Sequence, residues 1–172
     1  MDNNLLIIGY GNTLRRDDGV GPIAVEAVEK LRLPGVITIA CQQLNPEMAD
    51  PLSRAGAAVF VDAAIDNPGQ MRLCRLSPSG SSQILAHTAD PSMLLALARD
   101  AFGRAPEAWM LTIPAEALGF GDQLSPTAVR GINKAVRALR SLHRELRERG
   151  IVRAQGEAAV TRRLCRQVHI RA

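Results

Sequence analysis

The stretch Leu6–Gly21, which reads LIIGYGNTLRRDDGVG, decides the fold of this 172-residue chain. Its apolar start, together with Leu5, is typical of a buried strand, and that strand leads directly into a Gly/Asn turn. Two aspartates and a glycine come next, and Pro22 then suits the first turn of a helix, where its missing N–H costs no hydrogen bond. The stretch therefore predicts a strand over Leu5–Gly9, a polar loop and a helix.

The same alternation continues to Gly150. Further strands are predicted at Val36–Ala40, Ala57–Asp62 and Ala108–Ile113, with an edge strand at Met71–Leu76. Helices are predicted from an Asn45 N-cap to about Arg54, over about Pro91–Phe102, and from a Ser125 N-cap to Gly150. The apolar stripe of the last helix is predicted at Val129, Ile132, Val136, Leu139, Leu142 and Leu146. This order predicts an α/β fold, a three-layer open sheet that is mostly parallel, with helices on both faces and one antiparallel edge strand.

Composition indicates one domain, residues 1–150, followed by a basic tail, residues 151–172, that we expect to be mobile. The net charge of +4 comes from the tail, since residues 1–150 contain sixteen basic and sixteen acidic groups. A neutral body argues against nucleic-acid binding. The three cysteines lack the spacing of a disulfide framework or zinc site. No stretch approaches the length of a membrane span, so a cytoplasmic protein without a membrane partner is expected.

Three chemically capable positions follow predicted strands. Asp17-Asp18-Gly19 follows the first strand, Asp62 ends the third, and His87 follows the edge strand. Ligands of open α/β sheets bind at the carboxyl ends of strands, and two carboxylates with an imidazole suit a divalent metal. Each residue also has a simpler interpretation: Asp18 as a helix cap, Asp62 as a turn cap, and His87 as a solvated loop side chain.

The Gly9-x-Gly11 turn also raises the alternative of dinucleotide binding. The full fingerprint requires a third glycine where Leu14 stands, and an acidic residue at the end of the second strand, which instead reads Ala40-Cys41-Gln42. Nucleotide binding is therefore not favoured.

The motifs together resemble one family. The stretch Leu6–Gly21 is similar to the opening of the [NiFe]-hydrogenase maturation endopeptidases, G-x-G-N-x-L-x-x-D-[DE]-G-x-G. Phe60-Val61-Asp62-Ala63 is similar to the family's second acidic position, His87 lies where the family has a histidine, and Ile113–Gly119 with Leu124-Ser125-Pro126 resembles its closing strand, loop and helix. The resemblance covers residues 5 to about 147.

This resemblance implies an aspartic-type endopeptidase that trims the C-terminus of a nickel-loaded hydrogenase large-subunit precursor. Asp18 and Asp62 are implied as catalytic residues, and Asp18, Asp62 and His87 as ligands of nickel supplied by the substrate, a position that another divalent metal could fill in vitro. Asp17 is implied as an orienting neighbour, and a monomer is expected. The alternatives are a nickel-sensing assembly chaperone without proteolysis and a peptidyl-tRNA hydrolase-like enzyme, although the latter expects Asn-Pro-Gly where this chain has Asn12-Thr13-Leu14.

Overall fold

Five strands and four α-helices alternate along the residues that this computed structural model describes, 2–65, 70–78 and 90–153. The strands are β1 (Asp2–Tyr10), β2 (Val36–Cys41), β3 (Ala55–Ala64), β4 (Arg72–Leu76) and β5 (Glu107–Pro114). The helices are α1 (Val20–Glu29), α2 (Ala49–Arg54), α3 (Pro91–Phe102) and α4 (Pro126–Glu148). Short 3₁₀ turns at Arg16–Gly19 and Pro46–Met48 lead into α1 and α2.

The strands form one sheet in the order β2-β1-β3-β5-β4. β2, β1, β3 and β5 are parallel to one another, whereas β4 pairs with β5 in the antiparallel direction at the edge. The sheet is open, as predicted, and its edge strand is the predicted one. Parallel strands place their carboxyl ends at a common edge, so the loops after β1, β3 and β5 lie together there.

Apolar cores cover both faces of the sheet. On one face, side chains such as Ile7 and Val59 pack with α1 and α4. On the other face, side chains such as Ile8 and Phe60 pack with α2 and α3. Because successive strand residues point to opposite faces, the continuous apolar runs of β1 and β3 supply both cores. The predicted three-layer arrangement is confirmed.

Two details of the helices differ from the sequence-based expectation. Asn45 precedes its helix in an extended conformation, but its side chain makes no capping hydrogen bond, and its buried Oδ1 has no hydrogen-bond partner among the described residues. Val129, expected on the buried stripe of α4, is 46% exposed. The helix instead turns small residues toward the sheet, namely Ala128, Gly131 and Ala135. Small side chains let the helix axis approach the sheet closely. The spacing of large apolar residues along the helix does not predict this approach.

The chain remains packed beyond the end of α4. Gly150 adopts a left-handed conformation with φ of 72°, which ends the helix. Val152 is then buried, and the Arg153 N–H donates to the Asn3 carbonyl oxygen at 2.7 Å. The first three residues of the predicted tail thus lie against the start of β1.

Two predicted features fall outside the described residues: His87 and residues 154–172 of the tail. Within the described part of the chain, none of the helices has the length and apolar character needed to cross a lipid bilayer.

Candidate functional site

The candidate site lies at the carboxyl edge of the sheet, where the loop after β1 meets the end of β3. The 3₁₀ turn Arg16–Gly19 carries both Asp17 and Asp18, and Asp62 stands near the end of β3, in register with Thr112 of β5. Since β1 and β3 are adjacent parallel strands, their ends bring these acidic residues to one place.

The glycines of the opening motif permit this close arrangement. A Cβ on Gly9 would lie 2.3 Å from the Gly21 carbonyl oxygen, and a Cβ on Gly21 would lie 2.5 Å from the Val61 carbonyl oxygen. Gly11 has φ of 135°, and a Cβ there would lie 2.0 Å from the Asp18 carbonyl oxygen. These glycines allow α1 to start directly against β1 and β3, so their spacing is explained by packing.

Asp18 is fixed by the turn that precedes it. Its Oδ2 accepts a hydrogen bond from the Asn12 backbone N–H at 3.0 Å. The Asn12 Oδ1 in turn accepts from the Leu14 N–H at 2.9 Å. The Asn in the motif therefore shapes the loop with its side chain while its backbone holds the Asp18 carboxylate.

Asp62 is held from its own strand and from β1. Its Oδ1 accepts from the Ala63 N–H at 2.7 Å, and its carboxylate also makes a hydrogen bond with the Tyr10 hydroxyl. Burial raises the pKa of Asp62 above its ordinary value, the bonds from Tyr10 and Ala63 oppose the rise, and the negative charge of Asp18 adds to it. Asp18 and Asp62 are therefore close enough to interact electrostatically.

Tyr10 is the partner of Asp62 in this hydrogen bond. Burial raises the pKa of its hydroxyl strongly, and the neighbouring Asp62 carboxylate raises it further by charge and by hydrogen bonding. The hydroxyl is therefore protonated at physiological pH and donates its hydrogen to Asp62. Sequence reasoning missed Tyr10, because nothing in a single strand-end tyrosine indicates which residue of a neighbouring strand it contacts.

Asp17 is fully buried and is bonded to the loop between β5 and α4. Its Oδ2 accepts from the Glu116 and Ala117 N–H groups at 2.8 and 2.9 Å, and its Oδ1 accepts from the Ser125 N–H at 2.7 Å. Burial alone would raise the pKa of Asp17, but these bonds and one from the Ser125 hydroxyl stabilise the charged form and lower it. Asp17 therefore ties the β5–α4 loop to the candidate site, in line with the orienting role expected for it.

The structure brings together two of the three predicted ligands. Asp18 and Asp62 lie at one edge, whereas His87 lies outside the described residues. Within residues 2–65, 70–78 and 90–153, no group of three or more His, Cys, Asp or Glu side chains is arranged to hold a metal ion. Two carboxylates, one of them with a raised pKa, are suited to binding a divalent cation or to transferring a proton.

Comparisons with known proteins support the fold. No protein-family model matches the sequence, and no curated protein matches it either. Among solved structures, the chain is similar to the hydrogenase maturating endopeptidase HybD from E. coli, with a TM-score of 0.66 and 22% identity over 86% of this chain and 94% of that one.

Two archaeal structures are similar as well. One is the [NiFe] hydrogenase maturation protease HycI from Thermococcus kodakarensis KOD1, with a TM-score of 0.63 and 18% identity over 84% of this chain and 93% of that one. The other is a hydrogenase 2 maturation peptidase from a Thaumarchaeota archaeon, with a TM-score of 0.60 and 21% identity over 86% of this chain and 99% of that one. At these identities the similarity establishes a shared fold over nearly the whole of each neighbour.

Proposed function

We propose that this chain is an endopeptidase that removes a C-terminal peptide from the nickel-loaded large-subunit precursor of a [NiFe] hydrogenase. The observation that carries the proposal is the meeting of Asp18 and Asp62 at the carboxyl edge of a sheet whose fold is shared with maturation peptidases. The opening motif supplies both the loop that holds Asp18 and the glycines that bring this loop to β3.

The nickel in this proposal belongs to the substrate. Asp18, Asp62 and His87 are the residues we assign to it, a set of two oxygen donors and one imidazole that suits a borderline divalent ion. Two carboxylates held close together repel each other, and a cation that arrives with the precursor removes that repulsion. A precursor without metal supplies no such compensation, so the pair acts as a checkpoint for metal insertion.

Hydrolysis requires a proton acceptor for the attacking water. The water oxygen bonds to the scissile carbonyl carbon, one water proton passes to a carboxylate, the C–N bond breaks, and the leaving amine takes up a proton. We assign the acceptor role to the carboxylate pair, Asp18 and Asp62, because a carboxylate placed beside the reacting carbon can take up the water proton. No serine or cysteine nucleophile is needed in this route.

We also assign the enzyme to the cytoplasm, as a monomer.

The substitution Asp62→Asn tests the proposal. It keeps the side-chain shape but removes the charge, so the fold is expected to survive while precursor processing falls by at least about a hundredfold. Processing is measured as the mobility shift of a nickel-loaded large-subunit precursor, and folding by thermal melt. The matched control is Asp100→Asn, an exposed aspartate on α3, which should process normally.

Three outcomes would count against the proposal. Normal processing by Asp62→Asn would remove the carboxylate from the mechanism, and a collapsed melt would make Asp62 a structural cap. If the unaltered protein binds the metal-loaded precursor but never shortens it, the chain is an assembly chaperone instead.

A further inference from the structure

The exposed side of α4 carries a continuous row of positive charge. Six exposed basic residues recur along it at spacings of three and four, which places them along one side of the helix. They define what we call the basic stripe: Arg130, Lys134, Arg137, Arg140, Arg144 and Arg147. At 1.5 Å per residue, the stripe is about 25 Å long.

Within the described residues, these charges lack carboxylate partners. None of the six forms an ion pair with a described residue, although ion pairs do occur at Arg54, Arg75, Arg99 and Arg149. Arg130 only donates to the Thr127 hydroxyl in its own helix, at 2.9 Å. Two shallow grooves lie along the stripe, and one of them is lined by Leu33, Arg137, Arg140, Ser141 and Arg144.

The stripe makes the body strongly asymmetric in charge. Residues 1–150 are neutral in total, so the remainder of the body, without these six residues, contains ten basic and sixteen acidic groups. The net charge of residues 1–150 is therefore zero although one face of α4 is positive and the remaining residues carry excess negative charge. Such segregation steers and orients a charged partner, since an acidic segment is attracted to the stripe and not to a remainder with excess negative charge.

We infer that the basic stripe of α4 docks an acidic segment of a partner polypeptide. A carboxylate-bearing segment complements three arginines that line one groove, where guanidinium groups bind carboxylates in a bidentate manner. The groove also contains the apolar Leu33 and the Ser141 hydroxyl, a mixture typical of protein interfaces.

Other polyanions fit this face less well. Glu145 and Glu148 lie in the last turns of α4, and Glu148 shares a groove with Arg147, so a uniformly negative duplex would meet carboxylates. A longer nucleic acid would also extend beyond the stripe onto the negative remainder of the body. Helices that bind membrane surfaces carry exposed Trp, Phe or Leu beside their basic residues, and α4 contains no Trp, Phe or Tyr.

The test uses the full-length protein and a fluorescein-labelled polyglutamate peptide of about ten residues, which spans the stripe when extended. Binding is followed by fluorescence anisotropy at low and at physiological salt. The stripe variant combines Arg137→Glu with Arg144→Glu. Its control combines Arg54→Glu with Arg99→Glu, the same change in net charge on α2 and α3. Circular dichroism melts should be unchanged for the stripe variant, because both substituted side chains are exposed.

We expect the stripe variant to bind at least about tenfold more weakly than the unaltered protein, the control to bind normally, and salt to weaken every complex. Equal losses in both variants would overturn the inference, because net charge alone would then explain binding. Tighter binding of a short DNA duplex, or of phosphatidylserine-containing vesicles, than of polyglutamate at the same salt concentration would overturn the choice of partner. This binding assay involves no proteolysis, so its outcome is independent of the proposed endopeptidase activity.

Discussion

Three acidic side chains at one sheet edge have different environments. Asp17 is buried among hydrogen-bond donors, Asp18 is held by one backbone N–H, and Asp62 is half-buried beside a tyrosine and another carboxylate. Burial raises the pKa of a carboxyl unless enough donors face it, so the pKa of Asp17 is lowered and that of Asp62 is raised. Asp17 therefore favours its ionised form, whereas Asp62 takes up a proton more readily than an exposed aspartate.

Tyr10→Phe should raise the pKa of Asp62 further. The Tyr10 hydroxyl stabilises the ionised carboxylate, so its removal favours the protonated form, while the ring keeps its packing. The measurement is a carbon-detected NMR titration of the Asp62 carboxyl in metal-free protein. An unchanged or lowered pKa would show that the hydroxyl does not donate to Asp62 in solution.

Asp17→Asn should destabilise the fold by about 3 kcal/mol or more at neutral pH. An amide nitrogen would then face backbone N–H groups that a carboxylate oxygen had accepted, and hydrogen bonds to charged groups are worth about 1.5–3 kcal/mol each. Urea unfolding of the metal-free protein measures the loss, with Asp100→Asn as a control expected to stay within about 0.5 kcal/mol.

The same substitution has a pH signature. Because the folded pKa of Asp17 is lowered, its stabilisation is fully present above the unfolded pKa of about 3.9 and is lost as pH falls through the folded value. The difference in stability between the unaltered protein and Asp17→Asn should therefore shrink below about pH 4. A difference that is constant down to pH 2 would contradict the lowered pKa.

For these acidic residues, the sequence predicted their positions at the ends of strands better than it predicted their side-chain contacts. Asp18 and Asp62 were placed at one edge because both follow strands, and the order of motifs along the chain is a one-dimensional signal. The Tyr10–Asp62 contact and the three backbone donors to Asp17 depend on which strands are neighbours and how a loop folds back across about a hundred residues. No periodicity or spacing contains that information.

Elements were predicted well where their ends carry strong local chemistry. Ser125 caps α4 through its hydroxyl, which accepts from the Ala128 N–H at 3.1 Å, and Pro126 follows it as predicted. Asp90 caps α3 in the same way, which explains why its predicted bounds match. The rotation of α4 was predicted less well, because Ala and Gly contact the sheet where a larger apolar residue would not fit.

Gly131→Ala tests this close helix–strand contact. A Cβ on Gly131 would lie 2.6 Å from the Ile113 Cγ2, and a β-branched side chain on a central strand has little freedom to move. Overpacking costs typically 1–3 kcal/mol, against a gain of about 1 kcal/mol in helix propensity, so a net destabilisation is expected by chemical denaturation. Gly119→Ala is the control, since no heavy atom lies within 4 Å of its added Cβ. If Gly131→Ala stabilises the protein, the helix does not pack this closely.

In the whole molecule, the candidate site at the carboxyl edge of the sheet is connected to the start of α4. Asp17 accepts from Ser125, the residue that caps α4, so one buried carboxylate links the candidate site to the start of the basic stripe's helix. The charge count for residues 1–150 was correct from sequence, but its sum concealed the arrangement in space. The spacing of the six residues within α4, not the total charge, places these positive groups along one side of the helix.

The folded body extends past Gly150 to Arg153, and truncation can test this boundary. Truncation after Gly150 removes Val152, a buried side chain worth about 1.5–3 kcal/mol, and the Arg153 hydrogen bond to β1, worth about 1 kcal/mol. Truncation after Arg153 keeps both. The shorter protein should therefore melt roughly 5–15 °C below the longer one, at 2–4 °C for each kcal/mol in a chain of this size. Both truncations remove the same four arginines of residues 154–172, so the comparison isolates residues 151–153.

Equal melting temperatures would mean that the body ends at Gly150. If the protein truncated after Arg153 folds normally but no longer processes the precursor, residues 154–172 contribute to docking.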